Sequence, residues 1–248
     1  MTATSDELAV EMDGTTLHLT LSRRTRSNAL SPTLVETLID VLNEAPTKGV
    51  ELAVFRGEGG NFCSGFDLAD LESLSDGDLL LRLVRIEHFL QCVAHAPFMT
   101  LALAHGSVIG AGCDLFCACS ERVAAPDAVF RMPGWRFGIA LGTRRLVRTI
   151  GAAAARSILA SSRMFNADEA QKIGLSTSTV GREDWPQTIG RSREVAASLE
   201  PISRSMLLAL TATDTRAADM ASLVESASRP GLKARIQRYR SAERSLRR

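Results

Sequence analysis

The chain has 248 residues, 45% of them hydrophobic and 23% charged, with 29 Lys and Arg against 28 Asp and Glu for a formal net charge of +1. Those proportions belong to a folded globular protein, and the near-neutral balance excludes a whole-surface field suited to nucleic acid or an anionic membrane. The five cysteines (Cys63, Cys92, Cys113, Cys117 and Cys119) are odd in number and lack metal-ligand spacing, so reduced thiols are expected, with no disulfide framework and no metal site.

At the amino terminus no basic segment precedes an apolar stretch, and Asp6, Glu7 and Glu11 argue against a transit peptide. Leu8, Val10 and Met12 alternate, Asp13-Gly14 follows, and Leu17, Leu19 and Leu21 alternate again, which predicts a β-hairpin with a tight turn. Ser31-Pro32 reads as an N-cap with proline at the first helical position, and Leu34, Val35, Leu38, Ile39 and Leu42 fall on one helical face. Residues 50–55 read as a strand, and the glycine-rich loop 57–65 leads toward another helix near Asp67. A long helix is predicted over 76–94, with Leu79, Leu80, Leu83, Ile86, Leu90 and Val93 as its buried stripe and Pro97 beyond its end.

The apolar run 98–104 suits a strand buried on both faces and is far too short to cross a bilayer, so a soluble cytoplasmic protein is expected. Gly106, Gly110 and Gly112 punctuate the turn into a helix at 113–119, and short strands follow at 122–125 and 128–132. Strand, glycine loop and helix recur in that order, which predicts an α/β fold with functional loops at strand ends. After Gly151 the chain turns helical, with a capping-box-like start at Asn166 and Glu169. No linker divides the chain, so a main body over 1–190 and a helical C-terminal region over 191–248 are expected, the latter burying its apolar face on the body or on a neighbouring subunit.

Two loops point to chemistry. Asn61-Phe62-Cys63-Ser64-Gly65-Phe66-Asp67 follows the strand at 50–55, and Gly106-Ser107-Val108-Ile109-Gly110-Ala111-Gly112-Cys113-Asp114 follows the run 98–104. Small residues at such junctions let a ligand approach the backbone N–H groups, and a helix starting near Gly112 aims its positive end at the same place. Such donors suit a carbonyl oxygen gaining negative charge. For either loop alone, glycines that merely permit a tight turn are the alternative.

With 24–30, 130–138 and 166–174, the segments 62–68 and 105–115 make the chain resemble the enoyl-CoA hydratase/isomerase (crotonase) superfamily over about 17–180. The resemblance implies a spiral of ββα units, a helical C-terminal region used in trimer packing, assembly as a homotrimer or a hexamer of paired trimers, and acyl-CoA thioesters as substrates. No separate cofactor is implied, because coenzyme A is part of the substrate. The oxyanion hole carried over by resemblance uses the backbone N–H groups of Phe66, after Gly65, and of Ala111, within Gly110-Ala111-Gly112. Arg24, Arg26, Asn28 and Ala29, with Ser64, Gly65, Phe66, Asp67 and Leu68, would lie along the nucleotide and pantetheine. Arg24 and Arg26 either meet phosphates or belong to a solvated turn, and Asp67 organises its loop and the helix start. Gly110, Ala111, Pro133 and Gly134 complete the implied binding set.

Hydration of a 2-enoyl thioester deprotonates water at one carbon and protonates its neighbour, so the family's hydratases present two carboxylates. Here only Asp114 matches, one methylene shorter than the family's glutamate, while the second position falls on Gly134. A double-bond shift needs one shuttle base, which suits Asp114 alone, although family isomerases often keep their acid at the position of Gly134. An idle acidic residue in the first turn of a helix is the alternative for Asp114. The family's glycine-rich loop is shortened over 138–143, beside the acyl pocket. His105 reads as a turn residue, His88 and His95 as exposed or capping, and Trp135 as a core tryptophan or a pocket wall. An acyl-CoA-binding protein without hydratase turnover is the competing reading, and RNA binding by the basic stretch 229–248 a third that is not expected.

Overall fold

The computed structural model describes residues 6–245. The alternating leucines form the expected hairpin, in which β1 (Leu8–Asp13) and β2 (Thr16–Leu21) run antiparallel with Val10 opposite Leu19. Ser31 Oγ accepts the Leu34 N–H at 3.0 Å and Pro32 opens helix α1 (Pro32–Glu44), the N-cap chemistry anticipated for that dipeptide. Ser75 and Asp78 cap helix α2 (Asp76–Ala94) reciprocally.

The remaining strands are β3 (Leu52–Gly57), β4 (Met99–Ala104), β5 (Ser107–Ile109), β6 (Glu121–Ala124), β7 (Val129–Arg131), β8 (Phe165–Asn166) and β9 (Ser178–Thr179). One sheet has the order β1-β2-β3-β4-β6-β9, parallel from β2 onward, and a second, smaller sheet has the order β5-β7-β8. In β3, Ala53 and Phe55 face a core shared with α1 and α2, whereas Leu52 and Val54 face Trp185 and Ala196 of helix α7 (Trp185–Ala197). Both faces of the parallel strands are therefore covered, which is why their sequence lacks polar alternation. Burying a phenylalanine such as Phe55 contributes roughly 1.5–3 kcal/mol.

Two expectations are corrected. No helix begins near Asp67: residues around Phe66 are extended and bridge to Leu30, and only a 3-10 turn at Leu71–Ser73 follows. The segment read as a turn at 106–112 contains β5, three residues long, which pairs with β7 rather than joining the larger sheet. Helix α3 (Ala111–Ala118) starts directly after it.

Downstream lie α4 (Thr143–Ile150), α5 (Ala152–Ser161) and α6 (Ala167–Lys172), then α7, α8 (Pro201–Thr211), α9 (Arg216–Ala227) and α10 (Leu232–Ser245). Helix α7 runs across residue 190, where the sequence was divided. The last two helices bury Leu223, Leu232 and Ile236 against Leu79, Leu83 and Ile139 of the main body. One carboxylate ties the tail down: Asp76, at the start of α2, accepts the N–H groups of Gly231, Leu232 and Lys233 at 2.8–3.1 Å. Helix α8 differs, leaving Ile202 and Leu210 78% and 79% exposed. No helix among the described residues is long and apolar enough to cross a membrane.

Candidate active site

The loop after β3 is stitched on both sides, and over 62–67 all but one of its N–H groups can be followed to an acceptor. Phe62 N–H donates to His105 O, Cys63 N–H to Ser107 O, Ser64 N–H to Ser27 O, and Asp67 N–H to Leu30 O, at 2.8–3.3 Å. Gly65 N–H donates to Cys63 Sγ at 3.4 Å. Phe66 N–H alone in this run has no acceptor among the described residues. In the second loop Ile109 N–H donates to Cys63 O at 2.9 Å and Gly110 N–H to Arg131 O at 2.8 Å, while Ala111 N–H, opening α3, has no acceptor either. Buried amides are nearly always paired, so two unpaired ones beside a cavity mark a place for a ligand acceptor.

Gly65 brings the two loops together. Its φ of +86° is one that L side chains rarely adopt, and a Cβ there would lie 2.5 Å from Ile109 O and 3.0 Å from Ala111 N. The residue before Phe66 thus abuts the amide of Ala111.

Both residues line a cavity of about 220 Å³ with apolar walls that include Leu68, Leu83, Ile139, Leu141, Ile236 and Tyr239. Its size is below the roughly 300–1,000 Å³ usual for whole-ligand pockets, which suits a small group rather than a whole ligand. Asp114 is the only carboxyl on its wall among the described residues, one turn along α3 from Ala111. Its side chain is buried, and no donor among the described residues reaches Oδ1. Burial pushes the Asp114 carboxyl well above its usual range, the neighbouring Cys117 adds to the shift, and Arg145 opposes it. Gly142, at φ +63° ahead of α4, leaves room for this group: a Cβ there would fall 1.9 Å from Asp114 Oδ1.

Arg145 is itself buried. It forms a two-pronged pair with Glu87 of α2, one bond being 2.9 Å from Nη1 to Oε1, and stands 3.7 Å from Asp219 of α9. Sequence reasoning missed this pair. Glu87 follows Leu83 by four residues and precedes Leu90 by three, so a charge on the apolar stripe was the available signal.

Of the residues singled out in the sequence, Ser64, Phe66, Leu68, Gly110, Ala111, Asp114, Pro133 and Gly134 line the cavity. Asn28 and Ala29 are buried and are not on its lining. Asn28 braces the loops, donating from Nδ2 to Glu58 O and Asn61 O and accepting from Arg23 N–H. Asp67 organises its loop as expected, accepting from Ala69 N–H at 2.9 Å and pairing with Arg23 at 2.8 Å. Arg24 and Arg26 stand exposed on a 3-10 turn off the cavity wall, Arg24 within 3.4 Å of Glu58. Trp135 is 44% exposed and lines the cavity, which corrects its reading as a core residue. His105 is buried, its Nε2 2.9 Å from Gly59 O, in the structural role read for it. Tyr239 and Ile236 of α10 were not foreseen on the wall. Among the described residues, no group of three His, Cys, Asp or Glu side chains could hold a metal ion.

An α/β fold that sets two backbone amides without acceptors among the described residues at the edge of an apolar cavity describes the class, and comparison with known proteins specifies the family. The enoyl-CoA hydratase/isomerase family model matches residues 11–243, and the chain belongs to that family. A Bacillus subtilis protein named "Probable enoyl-CoA hydratase" is 31% identical over 189 residues, covering 74% of this chain and 72% of that one. A Mycobacterium bovis protein of the same description is 31% identical over 186 residues, covering 73% and 74%. The crystal structure of an enoyl-CoA hydratase/isomerase family protein from Bordetella parapertussis superposes with a TM-score of 0.93 at 49% identity, covering 94% of this chain and 98% of that one. An enoyl-CoA hydratase structure from Bacillus halodurans, 20% identical with a TM-score of 0.82 over 93% of this chain and 99% of that one, shares the fold.

Proposed function

We propose that this chain acts on an acyl-CoA thioester as an enoyl-CoA hydratase or enoyl-CoA isomerase, holding the thioester oxygen between Phe66 N–H and Ala111 N–H while an enolate forms. The observation that supports this most is that these two amides, from loops pressed together at Gly65, lack acceptors at the edge of an apolar cavity. Negative charge developing on the oxygen meets two donors and the positive end of α3. The alanine in place of the family's glycine adds only a methyl, because the donor is main-chain.

Asp114 is the proton carrier. Its carboxylate removes a proton from the α carbon of a 3-enoyl thioester, the C–H electron pair enters the carbon–carbon bond to the carbonyl, and the oxygen takes the charge. The dienolate then collapses, its electrons moving out to the γ carbon, which receives the proton from Asp114 as the 2,3 double bond forms. This cycle balances with one acid–base group. A carboxyl raised by burial is a stronger base once ionised and carries its proton nearer neutrality, which fits both halves of the transfer.

Hydration asks for a second group to activate water, and Gly134 supplies none. That glycine favours a second reading, in which the chain binds acyl-CoA with little or no hydratase turnover. Incubation with a panel of enoyl-CoA thioesters in heavy water, followed by mass spectrometry, separates the readings. Addition of water marks a hydratase, double-bond migration with deuterium exchange at the α carbon marks an isomerase, and binding without either marks the second reading. Failure of every thioester to bind sinks both.

The exposed Ile202, Met206 and Leu210 on α8 support self-association through the C-terminal region as a homotrimer or a hexamer. Sedimentation as a monomer at micromolar concentration would contradict that assembly.

A further inference from the structure

A groove of about 800 Å³ adjoins the acyl cavity, and Trp135, Phe137 and Tyr239 stand on the walls of both. Five arginines, Arg131, Arg136, Arg229, Arg235 and Arg238, line it against a single acid, Glu243. That acid is already engaged: Arg131 donates to its two oxygens at 2.6 and 2.8 Å. Arg235 donates to Phe137 O at 3.0 Å and to Arg229 O at 3.1 Å, and its buried Nε has no acceptor among the described residues. Neither Arg229 nor Arg238 has a carboxylate within ion-pair distance among the described residues. A Cβ built on Gly138 would lie 2.8 Å from Arg235 Nη1 and 3.9 Å from Arg229 Nη1, so two guanidinium groups converge over one backbone position. Burial, then Arg229 and Arg238, push the Arg235 guanidinium below its ordinary value, and Asp76 opposes them without cancelling the shift.

Like charges held together repel, and an anion set between them replaces that repulsion with charge-assisted, two-pronged hydrogen bonds. We infer that the groove is an anion subsite for the acyl end of the thioester substrate, taking a carboxylate at the far end of the acyl chain. The inference rests on the function proposed above. It assigns anion recognition to arginines around α10, a different set from Arg24 and Arg26, which stand off the cavity wall.

The test measures dissociation constants for four ligands: a neutral short-chain enoyl-CoA, the same acyl group ending in a carboxylate, and both acyl groups carried on pantetheine, which lacks phosphate. Native protein is compared with the Arg229→Ala/Arg238→Ala variant. The terminal carboxylate should tighten binding to the native protein, and the variant should lose roughly ten- to a hundredfold of that gain, as removal of charge-assisted hydrogen bonds implies. Loss that tracks the carboxylate supports the subsite, and loss that tracks coenzyme A instead overturns it by assigning these arginines to the phosphates. Equal affinities of native protein and variant for all four ligands overturn the subsite while leaving thioester binding intact. No binding of any of them to native protein overturns the underlying function as well.

Discussion

The paired amides and Asp114 face the same cavity, yet different forces hold them there. Phe66 N–H and Ala111 N–H are set by ladder bonds running from Leu30 to the 62–67 loop and on to 105–109, so their direction follows from sheet topology and from one glycine. Asp114 is held by side-chain packing, and its protonation answers first to burial and then to Cys117 and Arg145. The amides are thus insensitive to most substitutions, whereas the acid is open to every neighbour.

Four substitutions and one pH series break or sharpen this contrast. Asp114→Asn should lower turnover by roughly 10² to 10⁴ with acyl-CoA affinity kept, because a positioned acid–base group contributes about that much. Turnover equal to native protein would remove Asp114 from the mechanism. Arg145→Met leaves Glu87 buried without its partner and should destabilise the fold by about 3–5 kcal/mol in urea titration. Loss of the opposing charge should also move the pH–activity profile toward alkali, an effect that a purely structural Arg145 would not produce. Gly65→Ala drives a methyl against Ile109 O and Ala111 N, and should cost about 10² to 10³ in kcat with the circular dichroism spectrum unchanged. Native-like kcat would mean that the two loops need not be so closely apposed.

Gly134→Glu tests the other half of the contrast, whether the site wants only a second acid. A Cβ at Gly134 meets Ile139 O at 3.2 Å, which asks the neighbour to shift by a few tenths of an ångström. Hydration should rise by up to about 10², read as water added to a 2-enoyl thioester. No gain would show that Gly134 is not what limits hydration.

The smallest effect is on stability. Folding raises the Asp114 pKa, so the folded chain holds this proton more tightly and stability falls as pH rises from the ordinary carboxylate value through the folded one. Asp114→Asn removes that loss. Its melting temperature should exceed that of native protein by a margin that widens with pH, and a constant margin would argue against the raised pKa.

Local signals in the sequence reached a long way. The hairpin, the Ser31 cap, α2 at 76–94 and the donor loops follow from periodicity, turn chemistry and glycine placement, all properties of neighbouring residues. What escaped depends on distant partners. β5 is three residues whose identity as a strand comes from pairing with β7, and the helix expected near Asp67 gives way to an extended run claimed by Leu30 on one side. Glu87 and Arg145 lie 58 residues apart, and nothing local joins them. For Trp135 the sequence offered a core position or a pocket wall, and it is on the cavity wall, shared with α10 more than ninety residues downstream, that the ring stands.

Helix α10 lines the apolar cavity with Ile236 and Tyr239 and is fastened at its start by Asp76. The chain therefore finishes its sheets and its donor loops before it lays down this ceiling. Exchange of the closing helix between relatives would reshape the cavity while the two loops that carry the proposed donors stay untouched. Substrate choice and bond chemistry would then be inherited as separate stretches of one polypeptide.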